Sequence, residues 1–63
     1  MNFGQKLQEA RKREGLTQIE LAEKVGIDHS AIARFEKGIR IPSLMTAKCL
    51  ADVLNMSLDD LLS

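Results

Sequence analysis

Residues 17–38 read TQIELAEKVGIDHSAIARFEKG, and this stretch decides the fold. Thr17 followed three residues on by Glu20 is a capping box, which marks a helix N-terminus. Gly26 ends that helix, Asp28 can cap the next, and Gly38 ends it in turn. Leu21, Val25, Ile27, Ile32 and Phe35 are spaced to give both helices one apolar face. Ala22 is small and faces the turn, so the second helix can cross the first closely. Gly26 takes a backbone conformation that a Cβ resists. Two short helices glued to a common core leave the outer face of the second one free.

Working outward, the same punctuation recurs. A helix is expected from about Phe3 to Glu14, with Phe3, Leu7 and Ala10 on one face and Gly15 as its stop. Leu16 and Leu21 bracket the Thr17 cap as a hydrophobic staple, and Ile27 with Ile32 brackets Asp28. A fourth helix follows Pro42 with Ser43 as its cap and ends near Asn55, which tolerates the left-handed C-terminal position. A fifth runs from Ser57 to about Leu62, with Asp60 at the capping-box position and Met56 and Leu61 as staple. Each cap contributes about 1 kcal/mol, so four together are a large part of the stability expected for so small a domain. IRIPS, residues 39–43, is a loop, because Pro42 removes a donor and disfavours helix at Ile41. The expected fold is all-α: one compact five-helix domain over residues 1–63.

Sixty-three residues make one domain at most. No apolar run approaches the roughly 18 residues of a membrane span, and the N-terminus has the features of neither a signal nor a transit peptide. One cysteine excludes an internal disulfide and suits a cytosolic chain. The formal net charge is zero, but the charge is polarised. All nine basic residues lie before position 49, together with six of the nine acids; beyond it stand Asp52, Asp59 and Asp60 without a base. Such asymmetry suits a nucleic-acid binder. His29 has no Cys, His or acid at ligand spacing beyond adjacent Asp28, so no metal or cofactor is expected. No paired carboxylates, nucleophile–base set or cofactor loop points to an enzyme, and no small-molecule ligand is evident.

The chain resembles the lambda-repressor-like, Cro-type (Xre) family of helix-turn-helix DNA-binding domains. The resemblance covers essentially its whole length. Arg11 to Gln18 is similar to the family's Arg-x-x-x-Gly-Leu-Thr-Gln lead-in. Ile32, Glu36 and Gly38 are similar to its Ile-x-x-x-Glu-x-Gly. Pro42-Ser43-Leu44, Leu50-Ala51 and Leu54 match its fourth helix, and Leu58, Leu61 and Leu62 its fifth. The resemblance implies sequence-specific binding of double-stranded DNA for transcriptional regulation, by a cytoplasmic regulator of bacterial or phage origin. It implies that His29, Ser30 and Arg34 face base edges from a recognition helix over about 28–37, and that Gln18 meets phosphate while bracing that helix. Arg34 suits guanine O6 and N7 bidentately. Lys37 and Arg40 flank the following turn and are expected at phosphates. Arg11 and Glu36 occupy positions that pair across the first and third helices. Two departures point to a modest binder as a monomer. Asp28 places a carboxylate near phosphate, and Ile39 and Ile41 make the following loop less basic.

On the fourth helix, about 100° per residue puts Leu44, Ala47, Leu50, Ala51 and Leu54 on one face, expected as core. Met45 and Cys49 fall nearly opposite, with Val53 and Met56 close to their row. An apolar outer face is unusual on a small domain. It is expected to form a homodimer contact that sets two recognition helices on a palindromic operator. The rival reading is a protein-interaction module, antitoxin-like or adaptor, on the same fold. The chain fits either a complete short regulator or the head of a longer one.

Overall fold

Asn2 opens the first helix through a capping box. Its side chain accepts from the Gln5 amide at 2.9 Å, and the Gln5 side chain accepts from the Asn2 amide at 3.3 Å. The structure, a computed structural model, describes residues 2–63. It contains α1 (Phe3–Arg13), α2 (Gln18–Val25), α3 (His29–Lys37), α4 (Leu44–Val53) and α5 (Leu58–Leu62), with no strand among the described residues. No described helix is long and apolar enough to cross a membrane.

The caps form as local chemistry dictates, with one exchange. Thr17 accepts from the Glu20 amide at 3.1 Å and the Glu20 carboxylate accepts from the Thr17 amide at 2.9 Å. Ser43 accepts from the Thr46 amide at 3.2 Å and Ser57 from the Asp60 amide at 3.0 Å. Asp28 stands at the cap of α3 but makes no capping bond. Its carboxylate accepts instead from the Ser30 hydroxyl. Four side-chain caps form, with Asn2 in place of Asp28; the Asn2–Gln5 spacing carries the same signal as Thr17–Glu20.

The two chain reversals about α3 are glycines in the left-handed region, Gly26 at φ 84° and Gly38 at φ 78°. At the first, the Ala22 carbonyl accepts from both the Gly26 and Ile27 amides, at 2.8 and 3.0 Å. Asn55, after α4, takes φ 58° as expected for this residue type.

Leu7, Leu21, Ile32, Leu50, Leu54 and Leu61 are fully buried, so all five helices share one core. Leu16, Ile27 and Met56, the staple residues, pack against it half-buried. α3 lies against both α1 and α2; α4 packs on α2, and α5 joins α4 to α1. Long-range polar contacts reinforce this closure. Lys6 Nζ donates to Ser63 Oγ at 2.8 Å and to the Asp60 carbonyl at 3.3 Å, tying α1 to the end of α5. Arg13 Nη2 donates to the Leu54 carbonyl at 3.2 Å, capping α4.

Leu44 corrects the expected α4 core. It is 69% exposed, while Ala47, Leu50, Ala51 and Leu54 are buried. Helical side chains lean toward the N-terminus. The first residue of α4 therefore overhangs the helix end, beyond the body that α2 and α5 cover.

The α2 cap carries a pH signature. Hydrogen bonds from the Thr17 backbone and hydroxyl hold the Glu20 carboxyl below its ordinary value. Its stabilisation is fully present above the unfolded-state carboxyl value and is lost as pH falls through the lower folded one. Glu20→Gln keeps an acceptor but cannot titrate. Urea midpoints measured at successive pH values should fall less steeply on acidification in this variant than in the parent protein.

Candidate nucleic-acid interface

α3 buries Ala31, Ile32 and Phe35 and turns its other side outward. His29, Arg34 and Lys37 are exposed on that side, with Ser30 and Ala33 half-exposed among them. Ser30 and Arg34 stand one turn apart, so they share a face. The first turn of α3 also holds Asp28, whose Oδ1 lies 3.6 Å from His29 Nδ1 while Oδ2 takes the Ser30 hydroxyl. That hydroxyl, above all, keeps the Asp28 carboxyl below its ordinary value.

The orientation of α3 is set from beneath by a part-buried polar cluster. Arg11 Nε lies 2.7 Å from Glu36 Oε2, and Arg11 Nη2 donates to Oε1 at 3.2 Å. Gln18 Nε2 donates to the same Oε1 at 3.1 Å. Arg11 Nη1 donates to the Leu16 carbonyl at 2.9 Å. The Arg11 and Glu36 side chains are only 10% and 4% exposed. Their forked pairing suits guanidinium and carboxylate geometry. Among the described residues no buried side-chain polar atom lacks a partner. One carboxylate on α3 thus receives donors from α1 and α2, which fixes the rotation of α3 about its axis.

Gln18 is the first residue of α2 and stands half-exposed beside α3. Next to it a shallow hollow of about 580 Å³ is lined by Arg11, Lys12, Gly15, Thr17, Gln18 and His29, among others. Lys12 on this rim is the middle one of the three consecutive cations Arg11, Lys12 and Arg13. With Arg11 neutralised by Glu36, the free cations around α3 among the described residues are Lys12, Arg34, Lys37 and Arg40. Arg40 is further placed by Phe35, its guanidinium 5.9 Å from the ring centroid. Arg13 remains exposed while it reaches back to the end of α4.

The residues expected at a dimer contact separate into two pairs. Met45, at 77%, and Cys49 are exposed on one row of α4. Val53 and Met56 are half-buried against the core. A further exposed apolar surface lies at the N-terminal end of α4. There Phe3, Ile41, Pro42, Leu44, Ala47 and Leu62 line a groove of about 280 Å³.

A helix-turn-helix family model matches residues 7–61. The chain is 36% identical over 63 residues to the transcriptional activator BcrR of Enterococcus faecalis, covering all of this chain and 31% of that protein. It is 39% identical over 62 residues to the transcriptional regulator ImmR of Bacillus subtilis, covering 98% of this chain and 49% of that one. It therefore spans a third to a half of the length of these relatives. The P22 c2 repressor, solved in complex with a synthetic operator, superposes with a TM-score of 0.96 at 27% identity, covering 100% of this chain and 96% of that one. These matches run through all five helices and the cluster that holds α3, and the chain belongs to the lambda-repressor-like, Cro-type (Xre) family of helix-turn-helix domains.

Proposed function

We propose that the chain binds double-stranded DNA sequence-specifically and so regulates transcription, with α3 in the major groove and two copies meeting on a palindromic operator. The observation that carries this reading is the fixed, exposed face of α3, ringed by free cations and held from below by Glu36. Likeness in all five helices to a repressor solved on its operator supports it. Phosphate contacts from Gln18, Lys37 and Arg40 set the register, and His29, Ser30 and Arg34 meet base edges. The hollow beside Gln18 and Lys12 gives the adjoining phosphate a seat. No bond is made or broken: occupancy of the promoter is the whole mechanism.

Arg34→Ala should weaken binding to the preferred site by at least about 1 kcal/mol and relax preference at one position of each half-site. Lys37→Ala should weaken all sequences alike and reduce the salt slope by about one phosphate equivalent. Titrations on preferred and scrambled duplexes at several salt concentrations separate the two effects. Equal losses on both duplexes for Arg34→Ala would remove it from base reading.

The homodimer contact is proposed at the apolar end of α4, with Met45 and Cys49 on its outer row and Leu44, Ile41 and Leu62 added to it. Val53 and Met56, half-buried against the core, lie toward the C-terminal end of α4. A second copy covering it would bury side chains that are otherwise more than half exposed. Leu44→Glu and Met45→Glu should each weaken self-association in sedimentation equilibrium without lowering the melting temperature. A monomeric mass for the parent protein at high concentration, with and without operator DNA, would exclude this contact.

A further inference from the structure

The α3 first turn carries a hydrogen-bonding feature that the family reading does not use. A serine hydroxyl has one proton, and in Ser30 that proton points at Asp28 Oδ2. The other Asp28 oxygen faces His29 Nδ1 at 3.6 Å. The Asp28 side chain makes no capping hydrogen bond to α3. Its carboxylate therefore engages the two side chains that follow it in this turn.

We propose that Asp28 sets the base preference of Ser30. By holding the only hydroxyl proton, it leaves an acceptor-only surface that pairs with the amino group of adenine or cytosine and rejects guanine and thymine edges. This rests on the reading of α3 as the helix that enters the major groove.

The groove chemistry leaves few alternatives. Adenine N6 and cytosine N4 are the donors there, while guanine presents N7 and O6 and thymine presents O4, all acceptors. Phosphate oxygens are acceptors too, so Ser30 with its proton engaged has nothing to offer the backbone, and the Asp28 charge is repelled by it. A guanine or thymine acceptor could capture the hydroxyl only by displacing a carboxylate. Charge-assisted hydrogen bonds are roughly twice as strong as neutral ones, so that exchange is unfavourable. An aspartate is ionised, and hence acceptor-only, at neutral pH, and the Ser30 hydroxyl holds the Asp28 carboxyl below its ordinary value. Arg34, one turn on, offers donors alone. The two turns of α3 thus demand opposite base chemistry, amino groups at the first and acceptors at the second.

The test is selection of duplexes from a random pool with the parent protein, Ser30→Ala, Asp28→Asn and Arg34→Ala. Anisotropy titrations then compare all four bases at the position that Ser30→Ala leaves unselected. Asn is an equally good helix-capping residue, and it can donate to Ser30 and free the hydroxyl proton. The parent protein should favour adenine or cytosine there by roughly tenfold, and Asp28→Asn should bring the four bases near parity while keeping the Arg34-dependent position. Guanine or thymine at the Ser30 position overturns the proposal. So does a preference unchanged in Asp28→Asn, or a Ser30→Ala variant that loses no position. In each of these cases an Arg34-dependent position leaves DNA reading by α3 intact. A pool that yields no enriched sequence with the parent protein removes both.

Discussion

Glu36→Ala is expected to destabilise the domain by about 3–5 kcal/mol, the cost of removing one partner from a buried, hydrogen-bonded ion pair. The side chain is 4% exposed and accepts from Arg11 twice and from Gln18 once. Alanine leaves the Arg11 guanidinium buried with only the Leu16 carbonyl as an acceptor, and leaves the Gln18 amide without its partner. Domains of this size lose roughly 4–8 °C of melting temperature per kcal/mol, so a thermal melt reads the effect directly. Glu36→Gln keeps an oxygen acceptor but not the charge and should fall between the two. DNA affinity should drop in Glu36→Ala even below its melting temperature, because Gln18 and α3 lose their mutual brace. A loss under about 0.5 kcal/mol, the usual size for exposed surface substitutions, would show that the pair does not hold α3.

Gly4→Ala should destabilise by about 2–3 kcal/mol, although alanine is the better helix former. A Cβ at Gly4 would lie 2.8 Å from the Phe35 carbonyl oxygen and 2.9 Å from the Glu36 carbonyl carbon, and nearer still to the Glu36 carbonyl oxygen. Comfortable contact needs about 3.5–4.0 Å. All three atoms are backbone and cannot rotate aside, so α1 must move away from α3. Overpacking of this kind costs about 1–3 kcal/mol and occasionally more, which outweighs the roughly 1 kcal/mol gained in helix propensity. The displacement also stretches Arg11 from Glu36, so Gly4→Ala and Glu36→Ala should be non-additive in a double-mutant cycle. Chemical denaturation measures both terms. A Gly4→Ala variant as stable as the parent would mean that the helices do not cross at this distance.

Gly4 also shows where sequence reading stops. In the sequence it is a weak point in a helix, with no local pattern to explain it. Its role appears only when the Phe35 and Glu36 backbone, over thirty positions away, is brought against it. Leu44 fails for a similar reason. Its angular position on α4 places it with the core, but burial depends on which neighbours cover the end of the helix, and among the described residues none covers it. No local pattern shows that Arg13 and Lys6 reach carbonyls at the ends of α4 and α5 across the fold.

The candidate site was more legible. Arg11, Gln18 and Glu36 meet in one cluster, and His29, Arg34 and Lys37 stand exposed on the outer side of α3. The Asp28–Ser30 bond was not anticipated. It competes with a capping bond of similar local geometry, and only the side-chain rotamers decide between them.

The sequence by itself determined the five helices, their ends and the all-α fold, because caps, staples and left-handed C-terminal residues act within a few positions of one another. Tertiary structure alone decided how closely α1 approaches α3, which cations remain free around α3 and which apolar side chains stay in water. Those outcomes depend on distances between segments far apart in the chain, and no local pattern encodes them.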